Sequence, residues 1–182
     1  LPYRANLGDT AGATKSYRKA LAIAEEVRRE EPENVEVLTL VADAHDRVGL
    51  VEQRALRWTD AIAMHEGART IRERMPRSAR RDIALAQTWT AIGDCRYVGE
   101  RFIPKSMMLG TAQRAYESAL EVLAHVETTP ENRRDVLQEI GRANRRLGGY
   151  HSGAGRDLQR ALRHHAAAAR ALNHLTGALL GM

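Results

Sequence analysis

The chain lacks most of what would hold together a small, loop-rich or sheet-based fold. Its 182 residues contain one cysteine, Cys95. That excludes an internal disulfide framework and a cysteine-rich zinc site. Aromatic residues make up only 4% of a composition that is 43% apolar, and alanine and leucine supply most of the apolar set. Small apolar side chains suit close helix packing better than the core of a β-sandwich. No sustained apolar/polar alternation and no Asn-Gly hairpin signal occurs, so strands are not expected. No apolar run approaches the ~18 residues that suggest a spanning helix. Ala166–Met182 comes nearest, and Arg170, Asn173 and His174 interrupt it. No signal-peptide pattern is visible. The expected location is the cytoplasm or another soluble compartment. The chain opens on Leu1, not Met, and is expected to be part of a longer protein.

What the chain does have is a repeated mark of helix punctuation. Pro32-Glu33-Asn34, Pro76-Arg77-Ser78 and Pro130-Glu131-Asn132 each combine a helix stop with a capping residue. A glycine follows each cap about four turns later: Gly49, Gly93 and Gly148. These glycines are expected to end short helices over about 34–48, 78–93 and 132–147. A second motif interleaves with the first. Ala13-xxx-Tyr17-xx-Ala20-Leu21 recurs as Ala112-xxx-Tyr116-xx-Ala119-Leu120. Weaker copies are Ala61-xxx-His65-xx-Ala68 and Ala161-xxx-His165-xx-Ala168. The lead alanines lie 48, 51 and 49 residues apart. Spacings of 3, 4 and 7 put each set on one helical face. Long helices are therefore expected over about 9–31, 52–75, 105–128 and 155–179.

The reading is an all-α fold of about seven helices in antiparallel hairpins. It is one repeat domain over residues 1–182, with hairpin units near 1–31, 32–75, 76–128 and 129–182. Residues 1–7 read as the end of a preceding helix. The stretch 94–106 carries Gly99, Phe102 and Pro104 and is expected to be an ordered irregular loop. Gly148–Arg156 is expected to be a flexible turn.

Charge is unevenly placed. Residues 131–182 hold nine arginines against Glu131, Asp135, Glu139 and Asp157, which accounts for the whole net charge of +5. The first 130 residues balance.

Leu7-Gly8-Asp9-xxx-Ala13-xxx-Tyr17-xx-Ala20-Leu21, the small residues Ala42, Ala86 and Gly141, and the pair Gly93-Asp94 together resemble the tetratricopeptide (TPR) repeat family. The departure is length: the family's unit is about 34 residues, and this one is near 49. The run from Tyr3 to Thr10, with Ser16 to Ile23, is similar to the C-terminal repeat region of bacterial serine/threonine protein kinases. The resemblance implies an α-solenoid that serves as a protein-interaction or scaffold module, the regulatory part of a larger bacterial signalling protein. It also implies a concave groove lined by the first helix of each hairpin. Carried over, the groove residues are Glu36, Asp43, Asp46, Arg47, Arg80, Gln87, Gln138, Arg142, Arg145 and Arg146. Such a groove, acidic at one end and basic at the other, would orient an extended protein or peptide partner.

No catalytic residue is assigned. There is no glycine-rich phosphate loop after a strand, no His-Arg-Asp and no Asp-Phe-Gly. His45-Asp46 with Asp43 lacks further converging ligands and reads as structural. His164 and His165 are adjacent and point to different helix faces. Cys95 has no neighbouring base and reads as an ordinary thiol. Trp58 and Trp89 read as packing anchors. No metal, cofactor or membrane segment is expected. Two alternatives remain open: nucleic-acid binding through the basic C-terminal third, and homo-oligomerisation through Ala166–Met182.

Overall fold

A computed structural model of the chain describes residues 10–102, 111–153 and 157–179. The described residues form seven α-helices and no strand: α1 (Thr10–Glu30), α2 (Val35–Arg54), α3 (Trp58–Arg74), α4 (Ala79–Phe102), α5 (Thr111–Ala124), α6 (Arg133–Ser152) and α7 (Leu158–Leu179). The turn at Leu7-Gly8-Asp9, the loop residues 103–106 and Gly155-Arg156 lie outside the described residues. The helices form two compact units, residues 1–75 and 76–182.

In the first unit, α1 packs antiparallel on α2 and α2 antiparallel on α3. The registers are fixed by Arg18 with Glu52 and Glu25 with His45 on one side, and by Asp46 with Arg72 on the other. Ala24, Val41, Ala42, Ala68, Ile71 and Met75 form its buried cluster. In the second unit, α4 and α5 form one hairpin and α6 and α7 the next. Ile83, Ala86, Ala119, Leu123, Val126, Val136 and Ala143 form the main cluster, and half-buried Trp89 packs against it. Ala112, Tyr116, Leu147 and Tyr150 form a second cluster.

Two of the three expected caps are present. Asn34 Oδ1 accepts from the Glu36 and Val37 amides at 3.0 and 3.3 Å. Ser78 Oγ accepts from the Arg81 amide at 3.2 Å. Asn132 does not cap α6. Its Oδ1 accepts from the Thr129 amide and its Nδ2 donates to the Glu127 carbonyl, so it staples the turn before the helix.

The glycines are the larger correction. Gly49, Gly93 and Gly148 do not end helices; α2, α4 and α6 run on to Arg54, Phe102 and Ser152. The helices expected to be short are therefore as long as their partners. The stretch from Cys95 to Phe102 is helix, not irregular loop, and so is Gly148–Ser152. Each glycine is instead the seat of a ring on the next helix. A Cβ on Gly49 would lie 2.7 Å from His65 Nε2, one on Gly93 2.6 Å from Tyr116 Cδ1, and one on Gly148 2.6 Å from His165 Cε1. Such distances are shorter than any side chain tolerates. The two interleaved sequence motifs are thus the two halves of one contact. The first unit adds its mirror: a Cβ on Gly67 of α3 would meet His45 of α2 at 2.8 Å.

Helix α2 ends in a Schellman motif. Leu56 donates to the Gln53 carbonyl and Arg57 to the Glu52 carbonyl, both at 2.9 Å, with Leu56 at φ 60°. Leucine is strained there, because its Cβ crowds the carbonyl in the left-handed region.

Candidate functional site

Charged side chains in this protein divide into those consumed by the fold and those left to solvent. In the first unit, Glu52 is fully covered, held by Arg18 Nη2 at 2.9 Å and by the Arg57 Nε. The Arg57 hydrogen bond, against the opposing effect of burial, keeps the Glu52 carboxyl below its ordinary range. A second network joins α2 to α3. Asp46 accepts from His65 Nδ1 at 2.6 Å and from Arg72 Nη1 at 2.5 Å, and Arg72 Nη2 reaches Asp43 at 2.6 Å. Burial pushes the Asp46 carboxyl up, but the His65 hydrogen bond and the Arg72 charge outweigh it, so Asp46 titrates below the ordinary value. Two of the expected groove residues, Asp43 and Asp46, are therefore internal partners of a buried arginine. Glu36 and Arg47 are exposed.

The second unit is organised around α4 and α6. Gln87 Nε2 donates to Glu139 Oε1 at 3.1 Å, and Arg146 Nη2 donates to Asp94 Oδ2 at 2.8 Å; both pairs are 52 residues apart. A constant offset means that α4 and α6 run parallel and in register along two helical turns. Arg146 also reaches Asp94 Oδ1 at 2.7 Å through Nε, a bidentate pair, and Tyr116 Oη donates to the same oxygen at 2.9 Å. Asp94 thus ties α4 to α5 and α6 at once. Burial raises both the Asp94 carboxyl and the Tyr116 hydroxyl. Glu139, raised chiefly by burial, is met by Arg142 at 3.0 Å.

These contacts leave two ridges flanking the α4–α6 seam, the one on α6 exposed and the one on α4 alternating exposed polar residues with half-buried alanines. On α4 the ridge is Arg80, Ala84, Gln87 and Ala91; on α6 it is Arg134, Gln138, Arg142 and Arg145. Spacings of 3 and 4 keep each ridge on one face. Arg80, Arg134 and Arg145 make no ion pair with a described residue. Arg142 and Arg146 are half-engaged, with side chains 47% and 52% exposed. The six expected groove residues of this unit therefore gather along one seam.

At the far side of the unit, His151 of α6 stacks on His164 of α7, with centroids 5.4 Å apart and planes 10° apart. Tyr150 meets His151 edge-on, and His164 Nδ1 donates to Asn144 Oδ1 at 2.9 Å. Burial, then the neighbouring Arg160, lowers His151; burial, then His151 itself, lowers His164.

Sequence reasoning missed Glu52, Arg72, Glu139 and the His151–His164 stack. A signal existed for Arg72: by the repeat it occupies the position of Leu123 and Leu172. A charge in an apolar stripe must find a buried partner.

A shallow depression of about 650 Å³ between the starts of α1 and α3 is lined by Thr14, Lys15, Arg18, Arg57 and Asp60. Its two arginines are those that hold Glu52. Among the described residues, no three His, Cys, Asp or Glu side chains converge as metal ligands. No described helix is long and apolar enough to cross a membrane.

The class this defines is an all-α protein built from antiparallel helical hairpins. Comparison with protein-family models, with curated proteins and with solved structures returns no match.

Proposed function

We propose that this chain is a non-catalytic protein-interaction module of TPR-like hairpins, and that the α4–α6 face of its second unit holds an extended segment of a partner protein. The observation that supports this reading is the parallel, constant-register pairing of α4 and α6, which lays two ridges with exposed polar residues side by side. Polar groups at regular intervals along a rigid seam meet an extended chain by many modest contacts. Arg80, Arg134 and Arg145 favour acidic side chains or a terminal carboxylate in that segment. The regulatory role in a larger bacterial signalling protein such as a serine/threonine kinase belongs to the same proposal. It is supported by the residue pattern between Tyr3 and Ile23.

The test uses labelled, proline-containing 12-residue peptides of acidic, neutral and basic composition, with a single-stranded oligonucleotide alongside. Binding is read by fluorescence anisotropy at low and high salt, for the native chain and for Arg80→Glu/Arg145→Glu. Neither arginine makes an ion pair with a described residue; Arg145 acts on buried Glu139 only at longer range, and circular dichroism checks that the variant keeps the fold. Binding of the acidic peptide, lost in the variant, is expected. Binding of the oligonucleotide alone, with a steep salt dependence, would replace the peptide reading by a nucleic-acid one.

A further inference from the structure

Helix α7 carries a surface that the α4–α6 reading does not use. Its inner face, Ala161, Ala168 and Ala171, is buried against α6, with His164 on the same side. Beside that face runs a second stripe: Leu158, Leu162, His165, Ala169 and Leu172, spaced 4, 3, 4 and 3; His165 and Leu172 edge the α6 contact at Gly148 and Gly141, and Leu158 and Leu162 stand clear of it. That spacing makes a continuous seam along a helix. Leu158 and Leu162 are 70% and 69% exposed, and Leu172 is 38% exposed. Leu158 and Leu162, one turn apart and this exposed on one helix, are an unfilled contact and not scattered surface residues.

The repeat says what kind of element fills it. One 49-residue period earlier, the last three positions of the stripe are Tyr116, Leu120 and Leu123 of α5. There Tyr116 and Leu123 are buried, and Leu120 packs against the cluster containing Leu147 and Tyr150 of α6. The same face of the preceding hairpin thus receives an α-helix.

Charge says which helix. Helix α7 carries Arg160, Arg163 and Arg170 and no acidic residue from Leu158 to Leu179. Arg163 and Arg170, one heptad apart, border the stripe on its solvent side, beyond the small Ala166. In an antiparallel pairing of two copies this flank meets itself. Arginine would then face arginine, with no acid on α7 to offset it.

We propose that the outer stripe of α7 docks an amphipathic helix of a partner protein, with leucine-like residues at heptad spacing and acidic residues flanking them to meet Arg163 and Arg170. This surface is separate from the α4–α6 seam and stands or falls independently of it.

The probe is a pair of synthetic 21-residue helical peptides with identical heptad leucines, one flanked by glutamate and one by lysine. Anisotropy is measured with the intact chain, with Leu158→Gln/Leu162→Gln, and with Arg163→Glu/Arg170→Glu. Both leucines are so exposed that their replacement leaves the fold intact, which circular dichroism checks. The native chain is expected to bind the glutamate peptide roughly tenfold tighter than the lysine peptide. The leucine variant should lose both, and the charge swap should reverse the preference. Binding that ignores the flank charge, binding that survives in the leucine variant, or no binding at all overturns the proposal. So does a dimer in sedimentation that Leu162→Gln dissolves, which would give the stripe to a second copy.

Discussion

Replacing Gly93 by alanine should destabilise the second unit, although the same change at most helix-interior glycines stabilises. The helix-propensity gain of Gly→Ala is about 0.8–1 kcal/mol. At Gly93 the new Cβ would lie 2.6 Å from Tyr116 Cδ1 and 2.9 Å from Cζ. The ring cannot swing away: it is 1% exposed, packed among Ala112, Leu147 and Tyr150, and its hydroxyl is fixed to Asp94 at 2.9 Å. Overpacking a site that cannot relax costs about 1–3 kcal/mol. We expect the overpacking to win, because the ring is fixed on every side, with a net loss of up to about 2 kcal/mol and a fall in midpoint of up to several degrees. Gly149 is the internal control. It lies in α6 of the same unit, and a Cβ there meets nothing within 4 Å. Gly149→Ala should therefore stabilise by about 0.8–1 kcal/mol. Thermal and urea unfolding followed at 222 nm measures both. In a Tyr116→Ala background, Gly93→Ala should change sign and stabilise. A higher midpoint for Gly93→Ala, or a lower one for Gly149→Ala, would refute the ring-on-glycine account of the repeat.

Three further expectations follow from the same structure. Leu56→Gly should stabilise the first unit by about 1 kcal/mol in urea unfolding, because glycine removes the left-handed strain at φ 60°. Arg72→Met should cost about 3 kcal/mol, since Asp46 and Asp43 then face each other without their shared cation; adding Asp43→Asn and Asp46→Asn should recover part of that loss in the same assay. For the histidine pair the sign is set by the depressed folded-state values of His151 and His164. The unfolded chain binds protons that the fold excludes, so their contribution is complete above pH about 6.5 and is lost as pH falls below it. Asp46, also depressed, contributes above pH about 4 and loses its contribution only below that. Asp94 and Glu139 of the same unit are raised by burial and act in the opposite sense. The histidine share is therefore read as a difference, and acidifying from pH about 7.5 to about 5.5 should lower the midpoint of the native chain relative to that of His164→Phe.

Much of the architecture was legible because it rests on local chemistry. Asn34 and Ser78 cap where expected, since a short polar side chain before a helix satisfies free amides whatever the tertiary context. The alanine-based stripes of α3, α5 and α7 turned inward because 3.6-residue periodicity fixes which side chains share a face. The role of Gly49, Gly93 and Gly148 was not legible one residue at a time. A glycine that ends a helix and one that admits a neighbouring ring look alike in sequence. The difference lies in what is opposite, a tertiary distance. Asn132 fails for a related reason: its side chain has a competing partner in the turn it leaves, and the turn wins. The ionic networks were only partly legible: Arg72 stands where the repeat has leucine, which marks it as buried, but which acids meet Arg72 and which arginines meet Glu52 depends on tertiary distances. The basic residues assigned to a groove from Arg80 to Arg146 gather along the α4–α6 seam. Asp43 and Asp46 take part in the α2–α3 contact, Asp43 with its side chain still 52% exposed.

The most direct measurement is a backbone-amide NMR titration of the chain with the acidic extended peptide. The account predicts saturable shifts concentrated at residues 80–91 and 134–146, abolished by Arg80→Glu/Arg145→Glu. Saturable shifts that bypass both ridges, or none at all, would contradict it.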